Sequence, residues 1–132
     1  MKKLVVEWVK KAEGDAGTAK REAKVKEAAT NWDAVCFHAQ QAVEKYLKGL
    51  LQQNEIAFSK THDLSVLLNL ILPVFPDLKE LSDDLEWLSA FAVEFRYPGE
   101  EAVEEDAKSA LAIMDRALAL LRPEIQGLTN RQ

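Results

Sequence analysis

The sequence has few of the residues that build disulfides or metal centres. One cysteine, Cys36, and two histidines, His38 and His62, occur among its 132 residues. A single thiol excludes an internal disulfide, and one thiol with two histidines distant in sequence is too few ligands for a structural zinc site. We therefore expect no metal and no cofactor.

Long apolar runs are missing as well. No stretch approaches the roughly 20 residues needed to cross a bilayer. The opening segment MKKLVVEWVKKAEG becomes charged again too soon to be a secretory signal. These features predict a cytoplasmic protein without membrane association.

What is present is the balance of one globular domain, with 48% hydrophobic and 30% charged residues. The charge is unevenly distributed. Residues 1–30 hold eight Lys and Arg against five Asp and Glu, whereas residues 77–106 hold two against eleven. Because general nucleic-acid binding depends on neutralising phosphates with basic side chains, the acidic third argues against it. One small phosphorylated ligand remains compatible with this charge.

The clearest helix lies between Thr30 and Asn54. Either Thr30 or Asn31 would cap its start, because a short oxygen-bearing side chain accepts an unpaired N–H of the first turn. Its apolar residues recur at three- and four-residue steps and so share one helix face: Val35, Cys36, Ala39, Ala42, Val43, Tyr46, Leu47 and Leu50.

Other segments have weaker or shorter helical patterns. Residues 4–19 predict a first helix, and residues 64–71 a short third helix capped by Thr61 or Asp63. The segment VFPDLKEL adds one turn at most, and a fourth helix is predicted from a Ser82 cap through Phe95.

A fifth helix is predicted to begin among the acidic residues 100–105, to carry Val103 and Leu111 inward, and to end at Arg122 and Pro123. No segment alternates with the period of a strand. Four long helices and one short one predict an all-α fold, an antiparallel four- to five-helix up-and-down bundle. Residues 1–123 would form this single domain, and residues 124–132 a carboxy-terminal tail.

A polar stripe borders the apolar face of the second helix. Stepping 100° per residue groups His38, Gln41, Lys45 and Lys48 there, while Gln40 and Glu44 fall on the opposite border. Such borders usually meet solvent, and Glu44 and Lys48 have the spacing of a helix-stabilising pair. Alternatively, the two lysines, the amide and the imidazole hold a phosphate and a base.

Two further stretches invite both a structural and a binding interpretation. In SKTHDL, Thr61 and His62 lie at the expected start of the third helix, where free N–H groups either are capped or bind an anion. In FRYPGEE, Arg96 and Tyr97 precede a Pro98–Gly99 turn. They suit a helix end, but also a site in which arginine grips a phosphate and tyrosine stacks on a base.

Three blocks in this order, FHAQQAVEKYLKGLL, KTHDL and FRYPGEE, resemble the HEPN family, whose name stands for higher eukaryotes and prokaryotes nucleotide-binding. The first helix also looks like that of the family, with Asp15 at a polar position. The resemblance implies a bundle of four to five helices that commonly forms a homodimer.

Ribonuclease members of that family carry an arginine and then a histidine, with four to six residues between them. Here Arg96 is followed at the corresponding places by Glu101, Ala102 and Val103. The resemblance therefore implies no catalytic residue at this position and no ribonuclease activity of the family type.

The sequence is instead similar to small HEPN proteins that pair with a separate minimal nucleotidyltransferase. This implies a non-catalytic nucleotide-binding protein, and it is compatible with a role as half of a toxin–antitoxin pair. The implied ligand contacts are listed here: Arg96, Tyr97, Lys45, Lys48, Gln41, His62, Thr61 and His38. Two alternatives stay open: a pure protein-interaction subunit, and a ribonuclease toxin using an unconventional histidine.

Overall fold

The computed structural model describes residues 2–26, 29–93 and 97–125, and these form a helical bundle without strands. Its five α-helices are α1 (Lys3–Ala23), α2 (Trp32–Gln53), α3 (Leu64–Ile71), α4 (Ser82–Leu88) and α5 (Glu104–Leu121). Short 3₁₀ helices cover Pro76–Leu81, Ser89–Phe91 and Arg122–Glu124. The predicted all-α fold class is confirmed.

The central helix is α2, which packs against α1, α3 and α5. Its predicted apolar face is fully buried, from Val35 to Leu50. Burial is not confined to that face, since polar residues of α2 are buried too. Helix α2 therefore has a second, polar buried face beside its apolar one.

The helix starts use the caps that the sequence offers. The Asn31 side chain accepts a hydrogen bond from the Ala34 N–H at 3.0 Å, and the Asp63 side chain accepts one from the Ser65 N–H at 2.9 Å. Thr30 instead donates its hydroxyl to the Val25 carbonyl at 2.6 Å. At both helix starts, the cap is therefore the asparagine or aspartate (an Asx cap) and not the threonine.

The predicted fourth long helix is wrong in length. Helix α4 is 7 residues long and continues only as a 3₁₀ turn to Phe91, while Phe95 lies outside the described residues. Ser82 does not cap α4, because the preceding 3₁₀ helix runs directly into it and the Ser82 N–H already bonds the Lys79 carbonyl.

The predicted inward position of Val103 is also wrong. Val103 has an extended backbone just before α5 and is 56% exposed, so it does not follow the periodicity of the helix. Its N–H is bonded by the Asp106 carboxylate at 3.0 Å. Leu111, inside the helix, is partly buried against the core as its position predicts.

Across the described residues, no helix combines the length and the apolar character that crossing a membrane requires.

Candidate functional site

The Glu44 carboxylate, on the second buried face of α2, is the centre of a polar network. It lies 2.8 Å from the Lys48 ammonium, and the Nδ1 atom of His62 lies 3.1 Å from both carboxylate oxygens. The Glu44 and Lys48 side chains are only 3% and 8% exposed, whereas that of His62 is 66% exposed. The network therefore begins inside the bundle and ends at the surface.

Two amides complete the network. Gln40 donates to a Glu44 oxygen at 3.3 Å and to the His62 carbonyl at 3.0 Å. Gln41 donates to the Gln40 side-chain oxygen at 2.8 Å and to Glu44 at 3.4 Å. We refer to Gln40, Gln41, Glu44, Lys48 and His62 as the Glu44 network.

These contacts correct the assignment of Gln41 and Gln40 to opposite borders. Glu44 follows them by three and four residues, so its side chain lies between theirs on the helix surface. The expectation of a solvated border is wrong as well, because all four α2 residues of the network are buried. The predicted Glu44–Lys48 pair is present, but inside the protein.

Aromatic rings from elsewhere in the chain cover Lys48. Its ammonium nitrogen lies 5.6 Å from the Trp8 ring centre and 6.0 Å from that of Phe58, within the range of cation–π attraction. The two rings meet edge to face. Lys48 thus has both a carboxylate and a ring environment inside the fold.

A second cluster joins α1 to α2 around Asp15. Its Oδ1 atom lies 2.8 Å from Nδ1 of His38, and its Oδ2 atom accepts from the Lys45 ammonium at 2.6 Å. All three side chains are at most 23% exposed. The polar stripe of α2 is therefore divided between two carboxylates, one on α2 itself and one on α1.

The start of α3 uses its backbone N–H groups within the protein. Thr61 accepts from the Asp63 N–H at 3.0 Å, and the Ser89 hydroxyl accepts from the Leu64 N–H at 2.9 Å. With the Asp63 cap, successive N–H groups are bonded, which confirms the capping interpretation of this stretch. His62 reaches away from the helix start, to Glu44.

The FRYPGEE stretch is described only from Tyr97 onward, and Arg96 lies outside the described residues. Tyr97 is 67% exposed, and its carbonyl accepts from the Glu100 N–H at 2.9 Å. Gly99 has φ of +93°, a conformation that suits glycine, and its N–H donates to Glu101. The predicted proline–glycine turn is confirmed.

A third cluster ties the end of α5 to the other helices. Glu13 on α1 accepts two hydrogen bonds from Arg122, at 2.8 and 2.9 Å, and one from the hydroxyl of Tyr46. The Arg122 bonds hold the pKa of Glu13 below its ordinary value, against the opposing effect of burial. Burial raises the pKa of Tyr46 above its ordinary range, and the bond to Glu13 adds to this.

The HEPN domain family profile matches residues 5–124. The chain belongs to the HEPN family. Curated protein sequences give no match.

Two solved structures share the HEPN fold of this chain. The crystal structure of an archaeal HEPN homologue is 25% identical, with a TM-score of 0.74, and the match covers 96% of this chain and all of that one. The crystal structure of protein TT1696 from Thermus thermophilus is 21% identical, with a TM-score of 0.70, covering 91% of this chain and 97% of the other.

Within this HEPN bundle, the predicted site residues on α2 and in SKTHDL do converge, but chiefly on carboxylates. Gln41, Lys48 and His62 meet at Glu44, and His38 and Lys45 meet at Asp15. Thr61 stays with its own turn.

Sequence reasoning missed Trp8, Phe58 and Ser89, which belong to the surroundings of the site. None of them carries a motif, because their contacts join residues far apart in the chain. Among the described residues, no group of three or more acidic, histidine or cysteine side chains is arranged to hold a metal ion.

Proposed function

We propose that this HEPN protein is a non-catalytic subunit that binds a nucleotide and works with a separate minimal nucleotidyltransferase. The observation that carries the proposal is the Glu44 network, a set of buried polar side chains that ends at an exposed imidazole. Buried ion pairs contribute little net stability compared with apolar packing, so such a network suggests a role beyond holding the bundle together.

The ligand would contact His62 and Tyr97, which are both exposed, and Arg96, which lies outside the described residues. Arginine suits a phosphate through two parallel hydrogen bonds, and tyrosine or histidine suits a base or a sugar. The exposed side chains of His62 and Tyr97 support this placement.

The residues after Arg96 support a non-catalytic role. Where ribonuclease members of the family have histidine, this chain has a buried Ala102, whose N–H bonds Asp33 at 2.7 Å, and an exposed Val103. Glu101 bonds the Gly99 N–H within the turn. These residues have structural contacts and do not supply an imidazole.

Calorimetric titration tests the ligand role. We expect ATP, GTP, CTP or UTP to bind the wild type, alone or with a candidate transferase, and Arg96→Ala to weaken binding about tenfold or more through loss of a charged hydrogen bond. Arg21→Ala, on the exposed surface of α1, is the matched control and should bind normally. Failure of all four nucleotides to bind the wild type would exclude the ligand role.

Co-purification from the native host with mass spectrometry tests the partnership. Recovery of a nucleotidyltransferase together with bound nucleotide supports the proposal, whereas a transferase without nucleotide favours a pure interaction subunit of a toxin–antitoxin pair. Light scattering tests the proposed homodimer, which should show twice the mass of the 14.8 kDa chain.

Ribonuclease activity has one structural argument in its favour and is tested separately. Both histidines place Nδ1 against a carboxylate, which is how a general base is often oriented. We expect purified protein to leave RNA intact. Cleavage that is lost in His38→Ala or His62→Ala would instead establish the catalytic alternative.

A further inference from the structure

We propose that His62 is a phosphate-binding group of this protein, beside Arg96, and that its Nε2 atom takes up a proton when the anion binds. The inference rests on the proposed nucleotide-binding function and adds the charge mechanism of that site. It predicts that nucleotide affinity depends on pH through one identified side chain.

The first argument is that the two lysines predicted to bind the ligand are already paired with carboxylates. Lys48 lies 2.8 Å from Glu44, and Lys45 lies 2.6 Å from Asp15. Withdrawing Lys48 toward a phosphate would leave the Glu44 carboxylate buried without its ammonium partner, which is strongly unfavourable. Neither lysine is therefore available to a phosphate, and His62 would act beside the proposed Arg96 contact.

The second argument is the hydrogen position on His62. An ionised carboxylate can only accept, so the contact of Nδ1 with both oxygens of Glu44 requires that Nδ1 carry the hydrogen. In the neutral imidazole, Nε2 then has a lone pair and no hydrogen. A lone pair repels a phosphate oxygen, and only the protonated ring offers it an N–H.

The third argument is exposure. The His62 side chain is 66% exposed while the carboxylate that holds it is 3% exposed, so the ring is anchored on one side and open to a ligand on the other. Histidine is the side chain that changes charge in the range of about pH 5 to 8. An approaching phosphate favours the charged ring, so binding and protonation are coupled.

The described surroundings of the ring are consistent with this coupling. Helix α2 contributes the Glu44 carboxylate and, behind it, the Lys48 ammonium. Lys60 and Asp63 flank it in the chain, and the Asp63 carboxylate is bonded to the α3 cap. The 3₁₀ helix Ser89–Phe91 contributes the neutral Ser89 hydroxyl, 3.5 Å from the His62 carbonyl.

His38 provides a matched control within the same chain. Its Nδ1 also faces a carboxylate, but its side chain is only 23% exposed and it shares Asp15 with Lys45. Carboxylate contact alone therefore does not distinguish the two histidines. The two histidines differ in exposure, so only His62 should take up a proton when ligand binds.

The experiment is calorimetry of ATP, GTP, CTP and UTP at about pH 8 in buffers of different ionisation enthalpy, where a histidine is largely neutral. We expect the wild type to take up between half and one proton per nucleotide bound. Its affinity should fall about three- to tenfold per pH unit in this range, since uptake of one full proton corresponds to tenfold. His62→Gln keeps a polar side chain but cannot titrate, so uptake should vanish, whereas the surface control Arg21→Ala should retain it.

Nitrogen NMR of the two histidines gives a readout independent of affinity. The Nε2 signal of His62 should change from unprotonated to protonated on ligand addition, while that of His38 stays unchanged. If His62→Gln does not bind nucleotide, the inference is still tested by two measurements on the wild type. These are the number of protons taken up per nucleotide and the Nε2 signal of His62.

The outcomes separate the two proposals. Binding without proton uptake, or with the same uptake in His62→Gln, overturns this inference and leaves the nucleotide role intact. Absence of binding by all four nucleotides removes the nucleotide role and this inference together.

Discussion

The sequence predicts Lys48 on the surface of α2, but the structure places it in the interior. Its pairing with Glu44 has the helical spacing that usually contributes a few tenths of a kcal/mol at a surface. Inside the bundle, with Trp8 and Phe58 over the ammonium, each charge depends on the other. The two residues should therefore be strongly coupled in stability.

Single and double substitutions of this pair measure the coupling. Glu44→Gln leaves the Lys48 charge buried without its partner and should lower the free energy of unfolding by about 3 kcal/mol. Lys48→Met should cost less, because His62 remains beside Glu44 and methionine keeps the packing on both rings. The double variant should recover to within about 1 kcal/mol of the wild type.

Urea unfolding followed by circular dichroism gives these values. If the two single effects simply add in the double variant, the pair is not coupled, and the Glu44 network has no special role in stability.

Among the elements, α1 and α2 make the most extensive contact, and Gly49 lies within it. A Cβ atom at Gly49 would lie 3.2 Å from Cβ of Trp8 and 4.0 Å from the Val5 carbonyl. Gly14, on α1, has no atom within 4 Å of the corresponding position. Gly14 and Gly49 therefore differ in whether the fold leaves room for a side chain.

Alanine at each glycine separates helix propensity from packing. Gly14→Ala should stabilise the protein by about 1 kcal/mol, because alanine lowers the backbone entropy lost in a helix. Gly49→Ala should give none of this gain, since the new methyl group forces Trp8 to move. Thermal unfolding compares them, and an equal gain at both sites would contradict the close contact.

The start of α2 depends on one capping side chain. Asn31→Ala removes the acceptor of the Ala34 N–H and should cost about 1 kcal/mol. Asn31→Asp keeps an acceptor there and is the control, with little loss expected. Chemical unfolding of the two variants measures the free energy of unfolding. Equal losses in both variants would show that the side-chain hydrogen bond at position 31 does not stabilise the start of α2.

For the whole molecule, Arg122 closes the bundle by joining the end of α5 to Glu13 on α1. The two residues are 109 positions apart, and Tyr46 on α2 joins the same carboxylate. The cluster therefore connects the three longest helices. Its charge pair is partly exposed, so its contribution is modest.

The lowered pKa of Glu13 sets the pH dependence of this contribution. A carboxyl with a lowered folded-state pKa stabilises the fold above its unfolded-state pKa, and loses this effect as pH falls through the folded value. Glu13→Gln should cost about 1 kcal/mol at neutral pH. The difference from wild type should disappear once pH falls below the lowered pKa of Glu13.

Urea unfolding at a series of pH values measures this difference. Tyr46→Phe, which removes a neutral donor, should have an effect that changes less with acid. A Glu13→Gln effect that is constant across the series would rule out the ionic contribution.

Prediction succeeded where the signal is local in the chain. The periodicity of α2, the Asx caps and the proline–glycine turn all depend on residues a few positions apart, and the structure contains each of them. It failed at Ser82 and Val103, where a neighbouring 3₁₀ helix and an extended residue replace the expected helical pattern.

The amino-acid order alone therefore specifies an all-α bundle and identifies α2 as its clearest helix, because a 3.6-residue apolar period needs no knowledge of distant partners. It cannot show that Glu44 and Lys48 are buried, or that His62 and Glu44 meet across 18 positions. Burial and charge pairing arise only when α1, the 54–63 segment and α2 pack together. That packing neutralises the lysines and leaves His62 as the exposed end of the network.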